Sequence, residues 1–170
     1  MKLVFDIEAN GLLPTVSKFH CAGAIDITTG NEYWYRPEQF NEFLDLLLNA
    51  DLIVAHNAFG YDIPALEKLA DIYGYVFAVP SEKVHCTKVM SQLLNYRRFG
   101  FGHSLKQWGE FFNDNKGDYN GGWEEFNEDM FEYMKQDVRL GARVYKHLMQ
   151  EAKNAVGHFG SKKILKALRS

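Results

Sequence analysis

The sequence predicts an α/β fold in which a mixed central β-sheet is flanked by helices, and three observations carry that prediction. Short apolar runs, Leu3 to Ile7 and Asp51 to His56, end at polar or acidic residues in the manner of buried strands. Segments with apolar residues at helical spacing follow, so strand and helix alternate along most of the chain. The opening instead carries a hairpin signal, Thr28-Thr-Gly-Asn31, between two strand-like stretches, which makes the sheet mixed rather than all parallel.

Each element follows from its residues. The first strand, Leu3 to Ile7, leads through Asp6 and Glu8 into the turn pair Asn10-Gly11, and Phe19 to Ile27 and Glu32 to Tyr35 are the arms of the hairpin. Pro37 opens a helix in which Phe40, Phe43, Leu44, Leu47 and Leu48 share a face. Leu52-Ile-Val-Ala55 is apolar throughout, as a central strand is, and ends at His56-Asn57. Ile63, Leu66, Leu69 and Ala70 predict a helix over Asp62 to Tyr73, and Val84-His85-Cys86 is a short strand feeding a helix from Thr87 to Leu94. Ser104-Leu-Lys-Gln107 is a capping box that starts a helix over Leu105, Trp108, Phe111 and Phe112. Asn113 to Gly122 is a polar loop. Phe126 to Leu148 is a long amphipathic helix with Phe131, Met134, Val138, Ala142 and Tyr145 on one side, and a terminal helix is expected before Ser170.

With 170 residues, 46% apolar and 24% charged, the chain has the composition of one globular domain spanning 1–170, with no repeat or linker. A formal charge of −3 excludes an overall positive field, so any contact with nucleic acid is local. Charge is uneven. Eight carboxylates lie between Glu110 and Glu132 against Lys116 alone, whereas eight bases lie between Arg139 and Arg169 against Glu151; this last part either meets phosphate or forms a solvated charged surface. Cys21 and Cys86 sit in no Cys/His cluster, which leaves a disulfide framework and a structural zinc site unsupported and fits a reducing compartment. No stretch approaches the roughly 18 apolar residues of a membrane span, so no membrane partner is expected.

Chemistry is carried by acids in an order. Asp6 and Glu8 are two apart, so on a strand they leave the same face, where they either flank a cation or simply face solvent. Asp62 follows a central strand, where α/β folds bind ligands; it is equally a first-turn acid of its helix. Tyr133 and Asp137 are four apart on the last helix and share a face, either as a hydroxyl beside a carboxylate at one point or as a core tyrosine beside a surface acid.

Taken in order, Asp6-Ile-Glu8, Asn57-Ala-Phe-Gly-Tyr-Asp62 and Tyr133-Met-Lys-Gln-Asp137 resemble the three motifs of the DnaQ-like 3′-5′ exonucleases, in the branch named for four carboxylates and a tyrosine (DEDDy). Met1 to Lys18, Phe99-Gly-Phe-Gly-His-Ser-Leu-Lys-Gln-Trp-Gly109 and Trp123 to Leu148 resemble the proofreading domain of phage family A DNA polymerases. The resemblance implies a ribonuclease H-like fold and two Mg²⁺ or Mn²⁺ ions. Asp6 would bridge them, Glu8 and Asp137 would hold one, Asp62 would hold the other through water, and Tyr133 would orient the attacking water. The histidine branch has its base five residues before the last aspartate; here that residue is Glu132, consistent with the tyrosine branch.

What the resemblance implies further is metal-dependent hydrolysis of single-stranded DNA 3′ ends to nucleoside 5′-monophosphates. The alternatives are an exoribonuclease of short RNA and a weakly active nucleic-acid-binding module. Leu12 or Leu13 would wedge against terminal bases, and His56, Asn57 and Phe59 would line the strand path. Each has a plain structural reading too, as core or strand cap. Lys106 is a candidate phosphate contact, and the basic tail of Lys162, Lys163, Lys166 and Arg169 could hold a strand or a partner. A separate polymerase or replication protein is the expected protein partner, in the cytoplasm of the host cell for a phage-encoded chain. The chain departs from the family in a compact interval between its second and third motifs.

Overall fold

Strand β1 (Lys2–Ala9) lies at the centre of the sheet because both of its faces are needed inside. Leu3, Phe5, Ile7 and Ala9 join one apolar layer while Val4 joins the other, so the period of two splits the strand between two cores. The structure, a computed structural model, describes residues 1–114 and 118–159. β2 (Phe19–Asp26) and β3 (Glu32–Tyr35) continue the sheet antiparallel on one side of β1, and β4 (Leu52–Ala55) and β5 (Val84–Cys86) continue it parallel on the other, in the order β3-β2-β1-β4-β5.

Helices α1 (Phe40–Leu48) and α2 (Ile63–Tyr73) bury their apolar stripes on one face of this sheet. Helices α3 (Thr87–Leu94), α4 (Leu105–Phe111) and α5 (Glu128–Phe159) cover the other. The capping box forms as expected: Ser104 Oγ accepts from the Gln107 N–H at 3.2 Å, and Gln107 Oε1 accepts from the Ser104 N–H at 3.1 Å.

Three boundaries that bear on the acids differ from the sequence reading. β1 runs on to Ala9, which puts Asp6 and Glu8 inside the strand. One π-helical turn, Ala58–Asp62, precedes α2 and carries Asp62, where a plain helix start was expected. α5 begins at Glu128 instead of Phe126 because Asn127 caps it, its Oδ1 accepting from the Met130 N–H at 2.8 Å, and it continues to Phe159. The expected terminal helix and the basic residues Lys162, Lys163, Lys166 and Arg169 lie outside the described residues, as does Lys116.

Two glycines set how closely α5 lies on the sheet. A Cβ on Gly23, the β2 residue paired with Asp6, would strike the Trp34 ring and come within 2.8 Å of Met134 Sδ, and a Cβ on Gly141 would sit 3.3 Å from Val4 Cγ1. Met134 and Gly141 bracket Asp137 by about one turn on either side. The absence of two side chains therefore lets the last helix bring its acid down to β1. Among the described residues no helix is long and apolar enough to cross a membrane.

Candidate active site

Asp6, Glu8 and Asp137 converge. Each offers one oxygen, and these atoms all lie within 4.8 Å of one another. β1 supplies the first two from one face and α5 the third, across more than a hundred residues of sequence. Glu8 and Asp137 are buried and Asp6 is half-buried, so the site has one open side. Clustered carboxylates repel unless protons or cations lie between them, and a purely oxygen donor set suits hard ions such as Mg²⁺ or Mn²⁺. The donors therefore fit the group the sequence implied; among the described residues neither Cys nor His joins the cluster.

The field of these acids reaches their neighbours. Cys21, opposite Glu8 in the β1–β2 ladder, has its thiol pushed far above the ordinary range, first by burial and then by Glu8 and Asp6, which leaves it unreactive. Tyr61 is pushed up to about 12 by burial and then by Asp62, Glu8 and Asp6. Its hydroxyl donates to the Gly11 carbonyl at 2.8 Å, tying the π turn to the loop after β1.

Asp62 stands outside the oxygen triad, buried on the π turn. Burial pushes its carboxyl up to about 7, against backbone N–H groups of Asp62 and Asn57 that favour the anion. Tyr133 sits half-buried one turn before Asp137, its ring 5.7 Å from Tyr119 and 6.4 Å from Trp123. Beside it a cavity of about 490 Å³ is lined by Asp118, Asp129, Glu132, Tyr133 and Gln136.

A second cavity, of about 370 Å³, opens against Glu8 and is walled by Asn10, Leu12, Tyr61 and Trp123. This is within the size of small-ligand sites. Leu12 is 76% exposed, whereas Leu13 packs against the core, so of the two leucines only Leu12 faces the cavity. Lys68 holds their loop by donating to the carbonyls of Leu13 and Pro14 at 3.1 and 3.0 Å. Trp123 and Tyr61 are wall residues that motif reading passed over. The only local signal for Trp123 was an aromatic residue at the end of a polar, glycine-bearing loop. Its carbonyl takes a hydrogen bond from His20 Nε2 at 2.7 Å, and ion pairs Lys18–Glu125 and Arg36–Glu128 pin the following residues to the β2 side.

The remaining candidates divide. Phe59 is exposed and Asn57 half-buried at the head of the π turn. His56 uses its ring for the fold: Nδ1 meets Thr87 Oγ1 at 2.9 Å and Nε2 meets the His103 carbonyl at 2.7 Å, so Nε2 is the donor and Nδ1 accepts the threonine hydroxyl. Lys106 is exposed on α4, which packs on α5 around His147, about 15 Å along the helix from Asp137. Of the C-terminal bases, Arg139 pairs with Glu32 and Arg143 with Asp114, the solvated-surface outcome for those two.

Fold and site together define an α/β chain of the ribonuclease H-like class, with a mixed central sheet, flanking helices and a carboxylate cluster able to hold a divalent metal. Over this fold the chain is similar to Brucella melitensis NrnC, at 22% identity and a TM-score of 0.62, covering 99% of this chain and 79% of that one. It is likewise similar to the same protein with bound Mg²⁺ (20% identity, TM-score 0.63, the same coverage) and bound to pGG (20%, 0.64, covering 99% and 81%). In sequence it is 33% identical to the DNA-directed DNA polymerase of Escherichia phage T7 and 34% identical to that of Enterobacteria phage T3, each over 88% of this chain. The chain spans 27% of the length of those polymerases. No protein-family model matches it.

Proposed function

We propose that this chain is a two-metal-ion 3′-5′ exonuclease that hydrolyses the terminal phosphodiester of single-stranded nucleic acid and releases nucleoside 5′-monophosphates. The observation that carries the reading is the convergence of Asp6, Glu8 and Asp137 to within 4.8 Å on the open side of a nuclease-like fold. A scaffold gains nothing from packing like charges together, whereas a metal site requires it.

In this reading Asp6, Glu8 and Asp137 would hold one divalent ion, and Asp62 with Asp6 would serve a second. Bound divalent ions would activate water and neutralise charge on the phosphoryl oxygens. Tyr133, on the same face of α5 as Asp137, would orient the attacking water. Leu12 and Trp123 receive the terminal base in the cavity beside Glu8, a contact that tolerates any base because every base has a π face. Asn57 and Phe59, at the head of the π turn, lie where the incoming strand would pass.

The sugar is a second question. NrnC bound to pGG supports the RNA alternative, whereas the polymerase relatives support DNA over the 27% of their length that this chain spans. The test is release of mononucleotides from 3′-labelled and 5′-labelled single strands of DNA and RNA, with Mg²⁺, with Mn²⁺ and with EDTA. Metal-dependent shortening from the 3′ end of RNA is the expected result. Preferential shortening of DNA would overturn the sugar assignment, and binding without cleavage of any strand would overturn the enzyme in favour of an accessory module.

A further inference from the structure

Residues 99 to 101 form a left-handed turn: φ is 51° at Phe99, 70° at Gly100 and 72° at Phe101. Left-handed backbone is unfavourable for any residue with a Cβ, and bulky side chains rarely occupy it even singly. Such strain persists only where surrounding contacts over-determine it, and it gathers at ligand sites.

The contacts that hold this turn are unusually many. The Phe99 ring packs edge-on against Trp108 at 5.2 Å, and Arg98, buried above the same indole at 4.8 Å, donates to both oxygens of Glu151 at 2.7 and 2.8 Å. His103 Nε2 donates to the Tyr96 carbonyl at 3.1 Å while its Nδ1 accepts from Ser91 at 2.7 Å. The His103 carbonyl in turn takes the His56 hydrogen bond. All of these groups point inward.

What the turn leaves outside is a pair of rings. Tyr96 is 67% and Phe101 61% exposed, and they pack edge to face with centroids 5.6 Å apart. Arg97 and Lys106 are exposed on the same segment and on the helix that follows it, and among the described residues neither forms an ion pair. The pair is also placed with respect to the carboxylates. β4 runs parallel to β1 with Val4 opposite Val54, so the chain leaving β4 at His56 lies toward the end of β1 that carries Asp6 and Glu8. The bond from His56 to His103 therefore ties the C-terminal side of the turn to the end of the strands where Asp6 and Glu8 stand, while Arg98 reaches back to Glu151 on α5.

We propose that Tyr96 and Phe101 form a preformed stacking platform for unpaired bases of a single strand whose 3′ end occupies the carboxylate site, with Arg97 and Lys106 taking its phosphates. The inference rests on the exonuclease reading and adds a substrate property: the chain holds strands longer than the terminal pair of nucleotides. Exposed rings flanked by cations that form no ion pair among the described residues match the alternation of base and phosphate in such a strand.

The test compares wild type with the Tyr96→Ala/Phe101→Gly double variant on 5′-labelled single strands of about two, five and ten nucleotides. For wild type KM falls with length. For the variant, KM on the longest strand rises at least about tenfold, with kcat and the KM of the shortest strand unchanged. Thermal melting stays the same or shifts upward, since the left-handed strain at position 101 is removed. Replacing Arg97 and Lys106 by Gln lowers the salt slope of binding by about 0.7 for each cation lost. An unchanged KM at every length overturns the proposal and assigns the rings to a protein partner, and an equal loss at every length overturns it as a site separate from the catalytic one. If wild type cleaves nothing, the exonuclease reading fails by itself, and fluorescence anisotropy of the ten-nucleotide strand decides the platform: equal affinity for wild type and variant overturns it.

Discussion

Replacing Gly23 by alanine should uncouple the two halves of the metal site. In an open strand the change from glycine to alanine stabilises by about 0.5–1 kcal/mol, because alanine loses less backbone freedom on folding. Here the added methyl strikes the Trp34 ring and stands 2.8 Å from Met134 Sδ, which is about 0.6 Å inside the onset of ordinary van der Waals contact. Trp34, in register opposite Gly23, takes the closer approach through its ring, and Met134 passes the overlap on to α5. Overpacking of this kind costs about 1–3 kcal/mol, and the sign of the stability change therefore reverses. Met134 lies about one turn before Asp137, so a helix displaced by about half an ångström carries the third acid away from Asp6 and Glu8. Misplacement on this scale costs up to about 100-fold in rate. The assay is urea denaturation together with Mn²⁺ affinity by calorimetry and nucleotide release at saturating substrate. A Gly23→Ala protein that is destabilised but binds Mn²⁺ and turns over like wild type would refute the idea that close approach of α5 assembles the site.

Asp6→Ala with Glu8→Ala should reduce metal-dependent hydrolysis by at least about 10³-fold while keeping or raising stability in EDTA, since repulsion with Asp137 is relieved; nucleotide release and melting in EDTA report the two effects separately. Tyr133→Phe should bind Mn²⁺ normally and lose about 10- to 100-fold in kcat, because in the proposed mechanism only the hydroxyl that positions the water is gone; a rate equal to wild type would make the tyrosine structural. His85 is half-buried beside Tyr145, its Nδ1 3.0 Å from the phenol oxygen, and burial, followed by Lys2, holds its pKa below the ordinary 6.5. The unfolded chain therefore binds that proton more readily, so the stability His85 contributes is complete above pH 6.5 and lost as pH falls below it. His85→Gln should show a smaller drop in urea midpoint than wild type when the pH is lowered from about 7.5 to 5.

Much of the site was legible because its local parts obey short periods. Alternation on β1 places Asp6 and Glu8 on one face, and a spacing of four on α5 places Tyr133 and Asp137 on one face, whatever the rest of the chain does. Ser104 and Gln107 announced the start of α4 because a capping box is satisfied entirely within its own turn. His56 was harder, since its partners Thr87 and His103 lie 31 and 47 residues away and no pattern around position 56 distinguishes a strand-path residue from a clamp. The choice between Leu12 and Leu13 depended on Lys68 and Tyr61 fixing the loop from another helix and turn.

The sequence by itself determined the order of strands and helices, the mixed character of the sheet and which acids share a face of one element, because backbone period and apolar patterning are properties of neighbours along the chain. Tertiary structure alone decided that Asp137 reaches Asp6 and Glu8 through the space left by Gly23 and Gly141, that Trp123 closes the cavity beside Glu8, and that Phe99 and Phe101 share a left-handed turn exposing one ring and burying much of the other. These depend on packing between elements remote in sequence, where the presence or absence of a single side chain sets a distance that no local period encodes.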